Sequence, residues 1–403
     1  MSIAFKDDKR GAKASRVLRK VPVELWEHVF HFLIGAELLP TLRTCKGFNA
    51  IAKRPLQRVI HWRTVEAFQG WNDSPLAGRM LYVPCEVTIG SKSPPHPYIN
   101  FNHVFPVITS FQRLTTLSLY RIAFPLVNVI EILSKLPSLR QLMLHDILRI
   151  PHNMMPSTRR GVPVTSTSLR SITLNHVQGS PLTGDRGLAK LVEVLSMEGL
   201  QEIHMTLTTF IDLMESINTC RQRRVSSDSP EPPFPKLPNT LRTFEVHTNM
   251  YRENSNTDFL DYPEYSKILG KWLMGCTNSL EVLSLWISGD IPTPPDVIEL
   301  RRLVMYTGPH SFLRALRFGP DIRRIWVPTP EVQSVEAWQF SRSVASSHRS
   351  AITHLSVQKW DVTDTSLEQL MTDCPNLKEL SLVPSIALNE GQYRRLPVLL
   401  EDM

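Results

Sequence analysis

Apolar positions along the chain recur in one short pattern: a leucine, two variable residues, an apolar residue, one variable residue and a further apolar residue. It reads LTTLSL from Leu114, LRQLML from Leu139, LRSITL from Leu169, LQEIHM from Leu200 and LRTFEV from Leu241. LEVLSL from Leu280, LRALRF from Leu313, ITHLSV from Ile352 and LKELSL from Leu377 complete the series. The last two apolar positions of each copy flank a variable one, the period of a strand with one buried face. Between copies the period lengthens to that of an amphipathic helix. In PLVNVIEILSKL the apolar face is Leu126, Val129, Ile130 and Leu133; in GLAKLVEVL it is Leu188, Leu191, Val192 and Leu195. Each unit therefore predicts one strand and one helix.

A lone strand–helix unit cannot bury both elements, whereas stacked units share a continuous core. The steps from Leu114 to Leu139 and from Ile352 to Leu377 are each 25 residues, and that from Leu200 to Leu241 is 41. The shorter step lies in the range of leucine-rich repeats, and the longer one implies an insertion. The expected fold is α/β: a solenoid with parallel strands on its concave face and helices on its convex face. The alternative, a compact α/β sheet with crossover helices, does not require leucine at the same offsets each time. VTDTSLEQLMTDCPNLKELSL, Val362 to Leu382, resembles the repeats of the F-box leucine-rich-repeat family through Val362, Thr363, Asp364, Leu367, Leu370, Cys374, Pro375, Leu377, Leu380 and Leu382. Cys374 reads as a small buried apolar residue at a helix end.

The same resemblance extends to the N-terminal end. In VPVELWEHVFHFL, Leu25, Val29 and Leu33 form one helical stripe, yet Trp26, Phe30 and Phe32 add apolar surface outside it. Residues Val21 to Trp62 resemble the F-box through Pro22, Glu24, Leu25, Val29, Phe30, Phe32 and Leu33, then Glu37, Leu38 and Leu39, then Cys45, Lys46, Phe48 and Ile51. Val21, Glu37 and Thr44 depart mildly from the family pattern. The resemblance implies a three-helix unit that docks onto the Skp adaptor of a cullin–RING ubiquitin ligase core. It implies that Pro22, Leu25, Val29, Leu33, Leu38, Leu39, Cys45 and Phe48 supply the contact, some of them turned instead to the unit's own core. About forty residues are too few to hold a core alone.

These readings divide the chain into a basic tail (1–20), the F-box (21–62), a connector and N-terminal cap (63–110), the repeats (111–390) and a C-terminal tail (391–403). Val87 and Ile89 are expected to form an atypical first repeat. CRQRRVSSDSPEPPFPKLPNT, residues 220–240, is basic, then Ser-rich, then Pro-rich, and reads as a flexible insertion. Variable positions flanking the buried ones point to the opposite face of the sheet. Tyr120, His145, His204, His247, Trp286, Arg317 and His354 are the candidate target-binding residues there, since exposed aromatic and Arg side chains carry much of the energy of protein interfaces.

Composition narrows the function classes. The 403 residues are 42% hydrophobic and 21% charged, the mix of a folded domain with material for a core. No run of 18 apolar residues suggests a membrane span, and the first twenty residues lack the apolar segment of a secretory signal. The five cysteines never form a C-x-x-C pair, which argues for reduced thiols, a cytoplasmic or nuclear setting and no metal site. His28 and His31 share a helix face but have no third ligand nearby in sequence. A net charge of +7 without aromatic-interleaved basic patches does not point to nucleic acid. No phosphate-binding loop, dinucleotide fingerprint, zincin or nucleophile-elbow motif occurs. The sequence therefore predicts a non-catalytic recognition subunit that needs no cofactor, holding an adaptor at one end and an unidentified protein substrate at the other. The alternatives are a non-degradative scaffold or inhibitor, and a repeat protein whose N-terminal helices only cap the array.

Overall fold

A computed structural model of the chain describes residues 21–31, 40–41, 43–74, 84–91, 99–100, 104–124, 128–149, 168–178, 186–225, 236–247, 263–286, 294, 296–313, 315–327, 349–360 and 370–384. The fold is α/β, and its paired strands run parallel. Two compact units are distinguished: Met1–Phe124 with Glu131–Ser168, and Pro125–Ile130 with Leu169–Met403. Among the described residues, no helix is long and apolar enough to cross a membrane.

The first unit opens with α1 (Val23–His31) and α2 (Lys46–Arg58). Phe30, Phe48, Ile51 and Ala52 form a small core between them, with Trp26 and Cys45 packed against it. Trp26 meets Phe48 edge-on at 4.9 Å between ring centres. Cys45 takes an extended backbone and its Sγ accepts the Phe48 N–H at 3.4 Å, capping α2. Of the second helix implied between them, only Pro40 and Thr41 fall within the described residues, and both are helical.

The helix α2 passes directly into β1 (Val59–Trp62), so the strand ladder begins inside the segment assigned to the helical unit. The chain continues through α3 (Val65–Asn72), β2 (Glu86–Ile89), β3 (Ile99–Asn100), α4 (Phe105–Ile108), β4 (Thr116–Tyr120), β5 (Ile122–Phe124), α5 (Asn128–Lys135) and β6 (Gln141–Arg149). Strands pair in the order β1–β2–β4–β6, with β5 beside β6 and β3 beside β5. Ile60, Val87, Leu117 and Leu142 lie in register, as do Trp62, Ile89, Leu119 and Leu144. Val87 and Ile89 thus occupy the expected repeat positions, one strand after the start. Trp62 is buried among Phe68, Trp71 and Phe111, which closes the beginning of the ladder.

The second unit contains β7 (Ser171–Gln178), α6 (Arg186–Leu195), β8 (Glu202–Thr206), α7 (Leu207–Val225), β9 (Thr243–His247), α8 (Pro263–Leu273) and β10 (Val282–Leu285). Beyond these come β11 (Ile298–Leu300), β12 (Met305–Thr307), α9 (His310–Leu313), β13 (Leu316–Phe318), β14 (Arg324–Val327), β15 (His354–Trp360) and β16 (Glu379–Pro384). Its sheet runs β7–β8–β9–β10–β12–β14–β15–β16. Ile172, Ile203, Phe244, Leu283, Tyr306, Ile325 and Leu355 form one buried row across it. Each such side chain contributes roughly 1.5–3 kcal/mol by leaving water.

One backbone device recurs along the ladder. The N–H groups of the second and third residues of a copy both donate to one carbonyl of the preceding copy. Gln201 and Glu202 share the Arg170 oxygen, and Arg242 and Thr243 share that of Gln201. The series goes on through Arg242, Glu281, Val304, Arg323 and Thr353 as acceptors. Two successive copies therefore start at Leu303 and Ile322, with strands β12 and β14, and both are absent from the sequence reading. LRALRF, by contrast, is not a member of the sheet: Leu313 ends α9, and β13 pairs only with β11 in a separate two-stranded sheet. Its Leu316 and Phe318 are buried while Arg317 is exposed, so its pattern is indistinguishable from a ladder strand. Among the described residues, the segments connecting β10 to β12 and β12 to β14 carry β11 and β13, the second of them after the short helix α9.

Both flanks of the segment expected as an insertion are described, and residues 226–235 lie outside the described residues. Helix α7 continues to Val225, and from Lys236 the chain is again described, with Leu237 and Pro238 buried. Thr240 Oγ1 donates to the Leu200 carbonyl at 2.8 Å. Cys276 and Cys374 are buried and unoxidised, and burial pushes their thiols up to about 12 and about 11.

Candidate functional site

Because strands of the second unit are in register, variable positions from distant copies line up on the face opposite the core. One row reads Thr173, His204, Glu245, Ser284, Thr307, Trp326 and Ser356. A groove of about 510 Å³ lies on this face, lined by residues that include Glu245, His247, Trp286, Trp326, His354 and Glu379. The Trp286 and Trp326 rings meet edge-to-face, 4.5 Å between centres and at 84°. That geometry suits the ring quadrupoles and leaves Trp326 39% exposed. His354 Nε2 lies 3.6 Å from Glu379 Oε2.

Beside the tryptophans, Glu245 Oε2 is 2.8 Å from His204 Nδ1 and 3.1 Å from His247 Nε2. A carboxylate only accepts, so His204 donates through Nδ1 and His247 through Nε2. The hydrogen bond from His204, then that from His247, holds the Glu245 carboxyl down to about 2. His204 is raised above its ordinary value, chiefly by the hydrogen bond to Glu245, against the opposing effect of burial. Among the described residues, these three form a group of side chains suited to a metal ion, their ligand atoms all within 4.8 Å of one another. His204 and Glu245 are 41 positions apart, a spacing that no sequence rule for metal ligands contains.

Four of the seven candidate target-binding residues, His204, His247, Trp286 and His354, therefore lie on one face of one sheet. Tyr120 and His145 belong to the first unit, where they are register partners and stack at 4.5 Å with 12° between planes. Tyr120 is buried there. Arg317 is not part of the face, since β13 lies outside the ladder. Sequence reasoning did not include Trp326, Arg324 or Glu379 among its candidate site residues. The signal for the first two was present: IRRIWV from Ile322 fits the repeat with Ile322, Ile325 and Val327.

At the other end of the chain, α1 has two faces. Phe30 is 3% exposed, whereas Leu25 is 55% and Val29 48% exposed, with Pro22 and Val23 also outward. Cys45 is half-buried at the cap of α2, and Phe48 is committed to the core between the helices. Leu33, Leu38 and Leu39 lie outside the described residues. No model of a known protein family matches the chain, and no curated protein matches it.

Proposed function

We propose that this protein is the substrate-recognition subunit of an SCF-type ubiquitin ligase, with an N-terminal F-box for a Skp-type adaptor and a leucine-rich-repeat solenoid for a target protein. The observation that carries the reading is the two-sided helix α1. Its aromatic side packs on α2 while Leu25 and Val29 stand in solvent, an arrangement that favours a partner on that side. The groove with Trp286 and Trp326 supports protein binding at the other end, because Trp anchors in partly desolvated pockets dominate interface energies. The role is recruitment without a catalytic centre in this chain: tethering an acceptor lysine near loaded ubiquitin raises its effective concentration.

The test is pull-down of the Skp adaptor by full-length protein and by a Leu25→Asp, Val29→Asp variant. Loss of the adaptor with an unchanged circular-dichroism spectrum supports the reading, and retention by the variant overturns it. Affinity purification with and without a proteasome inhibitor then separates degradation from scaffolding. A target that accumulates only with the inhibitor is a degradation substrate, and one held equally in both supports the scaffold reading.

A further inference from the structure

We propose that His204, Glu245 and His247 bind one divalent transition-metal ion of the Zn²⁺ class, leaving one coordination position to solvent. Three observations converge. First, the donor set of two imidazoles and one carboxylate is a Zn²⁺ set, and three protein ligands leave a fourth position open. Second, the spacing fits. In a tetrahedral site, ligand atoms at the usual bond lengths stand about 3.3 Å apart. The two contacts at 2.8 and 3.1 Å need part by only a few tenths of an ångström for an ion to replace the bridging hydrogens, and the two imidazole nitrogens, within 4.8 Å of each other, would draw in toward the same spacing.

Third, a carboxylate stands within reach as an outer partner, a side-chain adjustment short of hydrogen-bond distance. With Nδ1 on the metal, His204 carries its proton on Nε2, and Glu202 Oε2 lies 3.9 Å from that atom. A carboxylate behind a ligating imidazole fixes its tautomer and orientation, the usual support of histidine ligands. Glu245 and His247 sit two apart on one strand and His204 directly across on the next, so the rigid sheet presents all three together. The side chains are 27%, 22% and 44% exposed, which gives an ion an entry path and water for the open position.

The site is independent of the ligase role, because all three ligands belong to this chain. It is tested on full-length protein stripped with a chelator and titrated with Co²⁺, followed by visible absorption, and with Zn²⁺ by calorimetry. The expected result is one equivalent per chain, with the intense bands of tetrahedral cobalt and proton release on binding. Glu202→Gln should weaken affinity by roughly 10–100-fold, and Glu245→Gln or His247→Ala by more, with circular dichroism unchanged. Absence of the cobalt bands in the wild-type chain overturns the site. So does binding that survives both Glu245→Gln and His247→Ala, which would place the ion elsewhere.

Discussion

The α1–α2 pair and the strand ladder of the second unit face the same problem with different neighbours. Each ladder strand has another strand on both sides over most of the sheet, so register sets Phe244, Leu283 and Tyr306 side by side in one row, and all three are wholly buried. The helix pair has two described elements and a core of Phe30, Phe48, Ile51 and Ala52. Apolar residues in excess of that core, Leu25 and Val29, remain in water. Repetition supplies its own cover, whereas the single helical pair leaves its surplus apolar residues exposed. The contrast explains why similarly apolar stretches end as core in one region and as surface in the other.

Substitutions should separate the two regions in magnitude. Phe244→Ala opens a large cavity in the ladder and should cost about 3–5 kcal/mol, read as a lower midpoint of thermal or denaturant unfolding. Gly90 follows β2 with φ +86°, and a Cβ there would sit 1.8 Å from the Tyr120 carbonyl oxygen. Gly90→Ala is expected to cost roughly 3 kcal/mol, through a strained φ and a displaced strand end. Equal stability of this variant would show that the start of the ladder moves freely.

Smaller effects belong to the faces. In chelator-treated protein, the His204–Glu245–His247 cluster should impose a pH dependence of about 1 kcal/mol, the scale of partly exposed ion pairs. Glu245 is depressed when folded, so its contribution is present above its ordinary 4.5 and is lost as pH falls toward about 2. His204 is raised, so its contribution is present below its ordinary 6.5 and is lost as pH climbs through the higher folded value. Melting temperature relative to Glu245→Gln should therefore be most favourable between these ordinary values. The smallest change in stability, within about 0.5 kcal/mol, is expected for Leu25→Asp with Val29→Asp, even though that variant should abolish adaptor capture.

Much of this was legible in the chain itself. The strand positions of eight of the nine repeat copies, the buried Cys374 and the two-sided character of α1 follow from spacing, because side-chain direction along a strand or helix is set by local geometry. LRALRF shows the limit: Leu316, Arg317 and Phe318 alternate as a ladder strand does, yet their hydrogen-bonding partner is β11. Pattern reports which side chains are buried and says nothing about which strand lies alongside. The copy from Leu303 was hidden, since Tyr306 and Gly308 depart from the commoner spelling, whereas IRRIWV from Ile322 follows it and only the short step of 19 residues disguised it.

The candidate site divides in the same way. The sequence by itself determined that His204, His247, Trp286 and His354 point away from the core, a property of each strand taken alone. Only the tertiary structure decided that Glu245 stands between His204 and His247, that Trp326 meets Trp286, and that Tyr120 is sequestered against His145. Those outcomes depend on the pairing register between strands up to 41 residues apart, which is a property of the assembled sheet.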